Sequence, residues 1–306
     1  MKNIEQLSTC TVTKFLEKHF SNMFQERISI MLEILKAVVY GIVEGITEWL
    51  PVSSTGHMIL LEEIMPMKVS EEFWNMFLVV VQLGAILAVV LLFWNRIFPL
   101  QRNRRRQIRI DWNIMSLWGK ILVACIPAAI VGVLFDDWLE EHLYNFWVVA
   151  VMLIAVGIIF ILVENRNRGV RPMIRTTDEL DYKVVLLIGL FQLVAAVFPG
   201  TSRSGATIIG ALMIGVSRTV AAEFTFYLAI PVMFGASFLK LLKFGFTFTG
   251  IEIGILLTGM VVSFLVSIVV IRFLMGYIKK HDFKVFGWYR IALGAMVLLY
   301  FGVIAA

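Results

Sequence analysis

The chain has 306 residues, of which 59% are hydrophobic and only 16% are charged, and its mean hydropathy is +0.86. This composition excludes an ordinary soluble domain and indicates a polytopic membrane protein. The formal net charge of +5 comes mainly from short loops between apolar stretches, so nucleic acid is not an expected partner.

Residues 1–30 carry charges throughout and lack the uninterrupted apolar core of a signal peptide. We interpret them as an N-terminal extension that forms an interfacial helix. Residues 31–304 are predicted to be a single integral membrane domain. Cys10 and Cys125 stand alone in the sequence, which predicts neither a disulfide framework nor a zinc site.

The first notable segment runs from Gly41 to His57 and reads GIVEGITEWLPVSSTGH. It interrupts an apolar stretch at 34–65, and a broken backbone at membrane depth is tolerated only where it is buried in protein or lines a cavity. The segment therefore predicts a re-entrant helix pair. Glu44 and Glu48 are four residues apart and would share one face of a helix. Carboxylates inside a membrane indicate a functional site.

Hydroxyl residues and a histidine complete this segment. Ser53, Ser54 and Thr55 would offer hydroxyls and backbone amides to a phosphate at the start of a helix, although such residues also serve as ordinary helix caps. His57 is the only histidine in the apolar body of the chain. Beside two carboxylates and three hydroxyls, it is expected to act in chemistry rather than only to satisfy the core.

Six apolar stretches are each long enough to cross about 30 Å of hydrocarbon as a helix. They lie near Phe73–Trp94, Ile114–Leu134, Phe146–Val163, Val220–Leu239, Ile251–Ile271 and Phe286–Ile304. The predicted fold class is an all-α polytopic membrane protein, with about six transmembrane helices and two re-entrant helix pairs.

A basic loop gives the orientation. Its arginines precede the first acid of the loop, Asp111, and they are Arg96, Arg102, Arg104, Arg105, Arg106 and Arg109. By the positive-inside rule this loop is cytoplasmic. The first re-entrant pair then enters from the outer face, and the second, after another basic loop, enters from the inside.

The second notable segment, Gly189 to Thr207, reads GLFQLVAAVFPGTSRSGAT and interrupts an apolar stretch at 184–215. Arg203 lies between Ser202 and Ser204, and its planar guanidinium suits phosphate oxygens. Thr207 adds another hydroxyl. As an alternative, Arg203 could simply neutralise Glu48 or Glu44.

The two segments indicate a duplication. Aligning Gly41 with Gly189 also aligns Pro51 with Pro199 and Ser54 with Ser202. We predict repeats over about 32–163 and 184–304, inverted with respect to each other. Inverted repeats bring broken helices together near the bilayer midplane, in carriers as well as in enzymes.

The stretches EGITEWLPVSSTGH and PGTSRSGAT resemble the two signature motifs of the bacterial undecaprenyl-diphosphate phosphatase family, which is also associated with bacitracin resistance. The resemblance continues through QLGAILAVVLLFW and WYRIALG and covers roughly residues 32–304. It implies hydrolysis of undecaprenyl diphosphate to undecaprenyl phosphate and inorganic phosphate, which recycles the lipid carrier for peptidoglycan and envelope polymers. It also implies a multi-pass protein of the bacterial plasma (inner) membrane, with its active site open to the outer (periplasmic) face.

The resemblance assigns roles to residues of both segments. The family's essential groups fall on Glu44, Glu48, Ser54, His57 and Arg203. The residues implied to line the phosphate pocket are Ser53, Thr55, Ser202, Ser204 and Thr207. No organic cofactor is expected, and the family's cation dependence suggests Mg²⁺ or Ca²⁺ held by the two glutamates, although the sequence has no established metal motif.

The sequence leaves several alternatives open. Ser54 could attack the phosphate with His57 as base, oriented by Glu48 or Glu44. His57 could instead attack directly, or it could activate water. A transporter or flippase for a phosphorylated prenyl lipid fits the inverted repeats equally well. The oligomeric state, including a homodimer, is also open.

Overall fold

The computed structural model describes residues 2–102, 108–245 and 247–304. Over these residues the chain is mainly helical. Its α-helices are α1 (Lys2–Thr47), α2 (Ser54–Ile64), α3 (Glu71–Val80), α4 (Gln82–Leu92), α5 (Trp94–Ile97), α6 (Trp112–Leu143), α7 (Phe146–Arg166), α8 (Tyr182–Val197), α9 (Arg203–Ile214), α10 (Arg218–Phe244), α11 (Gly250–Tyr277) and α12 (Lys284–Leu299). A 3-10 turn covers Thr177–Glu179, and α12 continues into a π-helical turn, Tyr300–Ile304.

Within the described residues, six helical stretches are long and apolar enough to cross a membrane, which confirms the six spans expected from the sequence. They are Glu71–Leu92, Trp112–Phe135, Phe146–Arg166, Arg218–Phe244, Gly250–Tyr277 and Lys284–Gly302. The first of them contains α3 and α4, which meet at Val81. The chain is therefore a multi-pass membrane protein.

One loop departs from the all-helical expectation. The basic loop begins and ends as a two-stranded antiparallel hairpin, β1 (Leu100–Arg102) and β2 (Ile108–Ile110), in which Leu100 pairs with Ile110. Branched residues at alternate positions favour such a pair. Arg104, Arg105 and Arg106 of the predicted orientation signal lie outside the described residues.

Helix α10 lies at the centre of the bundle. Every residue from 220 to 230 is buried, whereas a surface helix would bury only one stripe. Helices α3, α4, α6 and α9 all contact it. The main apolar core includes Phe224, Phe226 and Tyr227 of this helix.

Both interrupted segments form a helix, a break and a second helix. Helix α1 ends at Thr47 and α2 begins at Ser54, whereas α8 ends at Val197 and α9 begins at Arg203. Helix α1 runs without a break across residue 30, so the predicted extension continues directly into the first segment. The two breaks lie among the core helices, and they carry the residues predicted to act on phosphate.

Helices α1 and α8 each pass close to another helix at a glycine. A Cβ atom at Gly41 would lie 2.6 Å from the carbonyl oxygen of Gly259 in α11, and one at Gly189 would lie 2.3 Å from that of Ala124 in α6. Small residues allow this close approach of helix backbones in membranes. Each segment thus packs closely against a spanning helix, at one of the two glycines that the sequence alignment pairs.

Candidate active site

Two serines with an unusual backbone conformation end the breaks, each at the residue just before the second helix. Ser53 has φ 75° and Ser202 has φ 68°, and they are the only non-glycine residues with positive φ in the described chain. Each caps the following helix, because its hydroxyl accepts the N–H of the residue three positions later, Gly56 and Gly205 respectively. Backbone strain of this kind is concentrated at functional sites.

These caps correct the sequence alignment of the two breaks by one residue. The sequence paired Ser54 with Ser202, but the structure gives Ser53 the same cap role as Ser202. The expected pairing is wrong because the second break has one more residue between its proline and its cap. Ser54 therefore corresponds to Arg203, and both stand at the first position of their helices.

The two breaks meet at Glu48. One carboxylate oxygen accepts a hydrogen bond from Arg203 Nη2 at 3.0 Å, and the other accepts one from Ser54 Oγ at 2.9 Å. The backbone carbonyl of Glu48 accepts the Ser204 hydroxyl at 3.2 Å. Both side chains of the Glu48–Arg203 ion pair are largely buried. Acid, hydroxyl and guanidinium thus form one cluster from two distant segments.

Arg203 is also bonded to α10 and to its own helix, α9. Its Nη1 donates to the carbonyl of Thr225 at 2.9 Å, and the Thr207 hydroxyl donates to the carbonyl of Arg203 at 2.9 Å. The hydroxyls of Thr207 and Thr225 lie 2.8 Å apart, and those of Ser202 and Ser204 lie 3.1 Å apart. The bonds to Glu48 and to the Thr225 carbonyl hold the guanidinium in one orientation, and the hydroxyl bonds order the backbone around it.

Glu44 lies in the last turn of α1, four residues before Glu48. Its side chain is 1% exposed, and its Oε1 has no hydrogen-bond partner within the described chain. Buried carboxylate oxygens are normally satisfied, so this oxygen is available to a bound proton or cation. The described residues contain no group of three acidic, histidine or cysteine side chains arranged to hold a metal.

His57 has different partners from those expected. Its Nδ1 is 2.7 Å from the carbonyl oxygen of Ser53, and its Nε2 is 2.7 Å from the hydroxyl of Tyr289. Among the described residues the ring nitrogens bond to neither Glu48 nor Glu44, so the expected orientation of the imidazole by a glutamate is not seen in this structure. Thr55 follows Ser54 in the first turn of α2 and is half-buried.

Sequence reasoning missed Arg290 of α12. Its side chain is 0% exposed, and its guanidinium donates to the carbonyls of Pro51, Gly200 and Thr201 at 3.2, 2.8 and 2.9 Å. One side chain therefore bonds to both breaks. A signal was present, because Arg290 is the only charged residue in the last apolar stretch and ionisable residues within spans are rare.

Comparison with known proteins gives the family. The model of the bacitracin resistance protein BacA family matches residues 37–296, which is most of the chain and includes both breaks. The chain belongs to the BacA family. The resemblance of the two motifs is thereby confirmed.

Curated relatives align over nearly their whole length with this BacA family member. An undecaprenyl-diphosphatase of Acetivibrio thermocellus is 62% identical over 271 residues, which cover 89% of this chain and 98% of the relative. An undecaprenyl-diphosphatase of Desulfitobacterium hafniense is 60% identical over 271 residues, covering 89% and 97%. Undecaprenyl-diphosphatase 1 of Clostridium acetobutylicum is 60% identical over 270 residues, covering 88% and 98%.

A polar cavity of about 550 Å³ lies in another part of the BacA fold, between the basic loop and the start of α10. Arg96 and Glu223 line it and form an ion pair at 2.8 Å. Tyr227 also lines it. None of the predicted site residues lines this cavity, so it is distinct from the Glu48–Arg203 cluster.

Proposed function

We propose that this protein hydrolyses undecaprenyl diphosphate to undecaprenyl phosphate and inorganic phosphate, the activity named for its relatives. The reaction returns the lipid carrier to the synthesis of peptidoglycan and other envelope polymers and supports resistance to bacitracin. The observation that carries this proposal is the contact of Glu48 with both Arg203 and Ser54. A guanidinium can stabilise the charge on a transferring phosphoryl group, and a hydroxyl can serve as the nucleophile.

The proposal includes a re-entrant, inverted arrangement. Reciprocal packing supports it, because α1 contacts α11 whereas α8, its counterpart, contacts α6. Helices α7 and α12, the last of each repeat, contact each other. Swapped pairing of this kind is what inverted repeats over about 32–163 and 184–304, with their breaks back to back, would produce.

The charge of the basic loop gives the side of the membrane to which the site opens, and the apolar tail of the lipid gives the path of the substrate. With the basic loop in the cytoplasm of a bacterial plasma (inner) membrane, the site opens to the outer, periplasmic face. The prenyl tail would remain along the apolar surface of the bundle while only the diphosphate enters between the breaks. All groups of the cluster come from one chain, so a homodimer would not be needed to complete the site.

The geometry favours Ser54 as the nucleophile. In the proposed step Ser54 Oγ attacks the terminal phosphorus, its proton passes to Glu48 Oε2, and the anhydride bond breaks. The lipid monophosphate leaves with the bridging oxygen. Water, whose proton passes to His57 Nε2, then cleaves the phosphoserine, and this releases inorganic phosphate while the proton held by Glu48 restores the Ser54 hydroxyl. Arg203 stabilises the charge that develops on the transferring phosphoryl oxygens.

Glu44 would hold a Mg²⁺ or Ca²⁺ ion together with phosphate oxygens, and Glu48 would join it through Oε1 once a substrate phosphate has taken Arg203 from that oxygen. The unpartnered, buried Oε1 of Glu44 supports this role, and carboxylate plus phosphate oxygens are ligands that such hard cations prefer. When bound, the ion would neutralise charge on the diphosphate. Ser53, Thr55, Ser202, Ser204 and Thr207 complete the proposed pocket with hydroxyls and backbone amides.

The decisive experiment uses purified protein in detergent, where there are no compartments between which to transport a lipid. Undecaprenyl diphosphate is supplied with a labelled terminal phosphate, and release of inorganic phosphate is followed. Wild type should release it and Arg203→Ala should not. Lipid binding without phosphate release by the wild type would favour the alternative, a transporter or flippase.

A further inference from the structure

Both ring nitrogens of His57 are occupied, and their partners fix the position of its proton. Nδ1 lies 2.7 Å from the Ser53 carbonyl oxygen. Because a carbonyl oxygen only accepts hydrogen bonds, Nδ1 is the donor. In the neutral ring the lone pair is then on Nε2. The Tyr289 hydroxyl, 2.7 Å away, donates to that lone pair.

We propose that Tyr289 is a positioning residue that caps Nε2 of His57 in the resting protein, and that the terminal phosphate of the bound lipid displaces its hydroxyl. This inference rests on the proposed function. A lone pair that accepts the Tyr289 hydrogen is not free to accept a proton from water or to bond to phosphorus. The hydroxyl must therefore leave Nε2 before His57 can act on either one.

The surroundings of Tyr289 allow this displacement. Its side chain is 48% exposed, so the ring can move without opening the core. The next residue, Arg290, is fully buried and bonded to both breaks, which keeps the helix backbone in place. A movable side chain on a fixed backbone can uncover His57 at little cost in packing.

Tyr289 contacts His57 through its hydroxyl and not through the face of its ring. The imidazole and phenol rings are nearly parallel, at 7°, with centroids 5.6 Å apart, and the hydroxyl lies 2.7 Å from Nε2, so the two rings lie side by side. The Ser53 bond still orients the imidazole when the hydroxyl is absent. Tyr289→Phe therefore removes the cap and keeps the orientation, which makes it the informative variant.

The first test measures how reactive His57 is, without any substrate. Diethyl pyrocarbonate modifies imidazole nitrogens through their lone pairs, and modification of the peptide that contains His57 is followed by mass spectrometry. In Tyr289→Phe the rate should rise about two- to tenfold, the factor that corresponds to one net hydrogen bond. Inorganic phosphate should slow the reaction again. Tyr300→Phe, a matched change on a tyrosine that contacts Glu63, should leave the rate unchanged.

The second test measures turnover of undecaprenyl diphosphate. Without the competing hydroxyl, Tyr289→Phe should lower KM by about the same factor and leave kcat unchanged, because only a resting-state contact is lost. An unchanged modification rate, or a lower kcat at constant KM, would overturn the proposal. If wild type releases no phosphate at all, the proposed function fails, whereas the modification rate still reports on the cap.

Discussion

Arg203 Nη2 lies 3.0 Å from Glu48 Oε1, although the two residues are 155 positions apart in the sequence. The contact joins the two breaks and occupies both groups before any phosphate arrives. Arginine is therefore both the partner of a buried acid and the proposed phosphate clamp. A substrate phosphate would compete with Glu48 for the same guanidinium.

Replacing Arg203 with lysine tests the clamp. Lysine keeps the charge but cannot donate to Glu48 and to the Thr225 carbonyl in the same plane. We expect kcat/KM for undecaprenyl diphosphate to fall about 10²-fold or more. Arg96→Lys is the matched control, since Arg96 pairs with Glu223 away from the cluster. Equal losses in both variants would show that Arg203 only contributes to folding.

Ser54→Ala tests the nucleophile. The variant loses the hydroxyl that donates to Glu48, so turnover should fall about 10³-fold or more, as in enzymes that lose their nucleophile. Acid quenching of wild type during turnover should trap label from the terminal phosphate on Ser54. Thr258→Ala is the control, because the Thr258 hydroxyl donates to the Gly254 carbonyl of its own helix. Label found on His57 would instead favour direct attack by the imidazole.

Glu44→Gln tests the proposed cation site. Chelation of divalent ions should lower phosphate release by wild type, and Mg²⁺ or Ca²⁺ should restore it. Because Glu44 Oε1 has no other partner in the described chain, the glutamine variant should need about tenfold more cation for half-maximal activity, since one carboxylate ligand is lost. Wild-type activity that is insensitive to chelation would contradict a cation at this site.

The spans could be predicted from the sequence because about 20 apolar residues in a row are sufficient evidence for a crossing helix. The breaks could also be predicted, since Pro51 and Pro199 are followed by small and hydroxyl residues. Spacing alone did not predict which serine caps the second helix of each break. The choice of serine depends on the backbone conformation, which has φ 75° at Ser53 and 68° at Ser202.

The partners of His57 could not be predicted either. Tyr289 is 232 positions away and reaches His57 only because α12 has one particular rotation in the bundle. Residue periodicity predicts which helix face is apolar, but not which side chain of a distant helix it meets. The contacts of Arg290 with both breaks depend on the same rotation.

Arg290→Met tests whether one buried arginine holds the two breaks together. The variant leaves the carbonyls of Pro51, Gly200 and Thr201 without their donor. The free energy of unfolding should fall by about 3 kcal/mol or more, and turnover should fall with it. Arg272→Met changes the same charge at an exposed position of α11 and should cost less than about 0.5 kcal/mol. Unfolding in denaturing detergent measures both, and similar losses would exclude the anchoring role.

Alanine substitution of the two equivalent glycines tests whether close helix packing holds each broken segment. A new Cβ would lie 2.6 Å from a backbone oxygen at Gly41 and 2.3 Å at Gly189. Backbone cannot move aside cheaply, so each variant should lose about 1–3 kcal/mol of stability. Gly254→Ala is the control, since a Cβ there meets nothing within 4 Å, and its better helix propensity should leave stability equal or higher.

Because the glycines lie one to three turns before the breaks, Gly41→Ala and Gly189→Ala should also shift Glu48 against Arg203 and lower turnover. A variant that loses stability but keeps full phosphate release would separate the clamping of these helices from the geometry of the site.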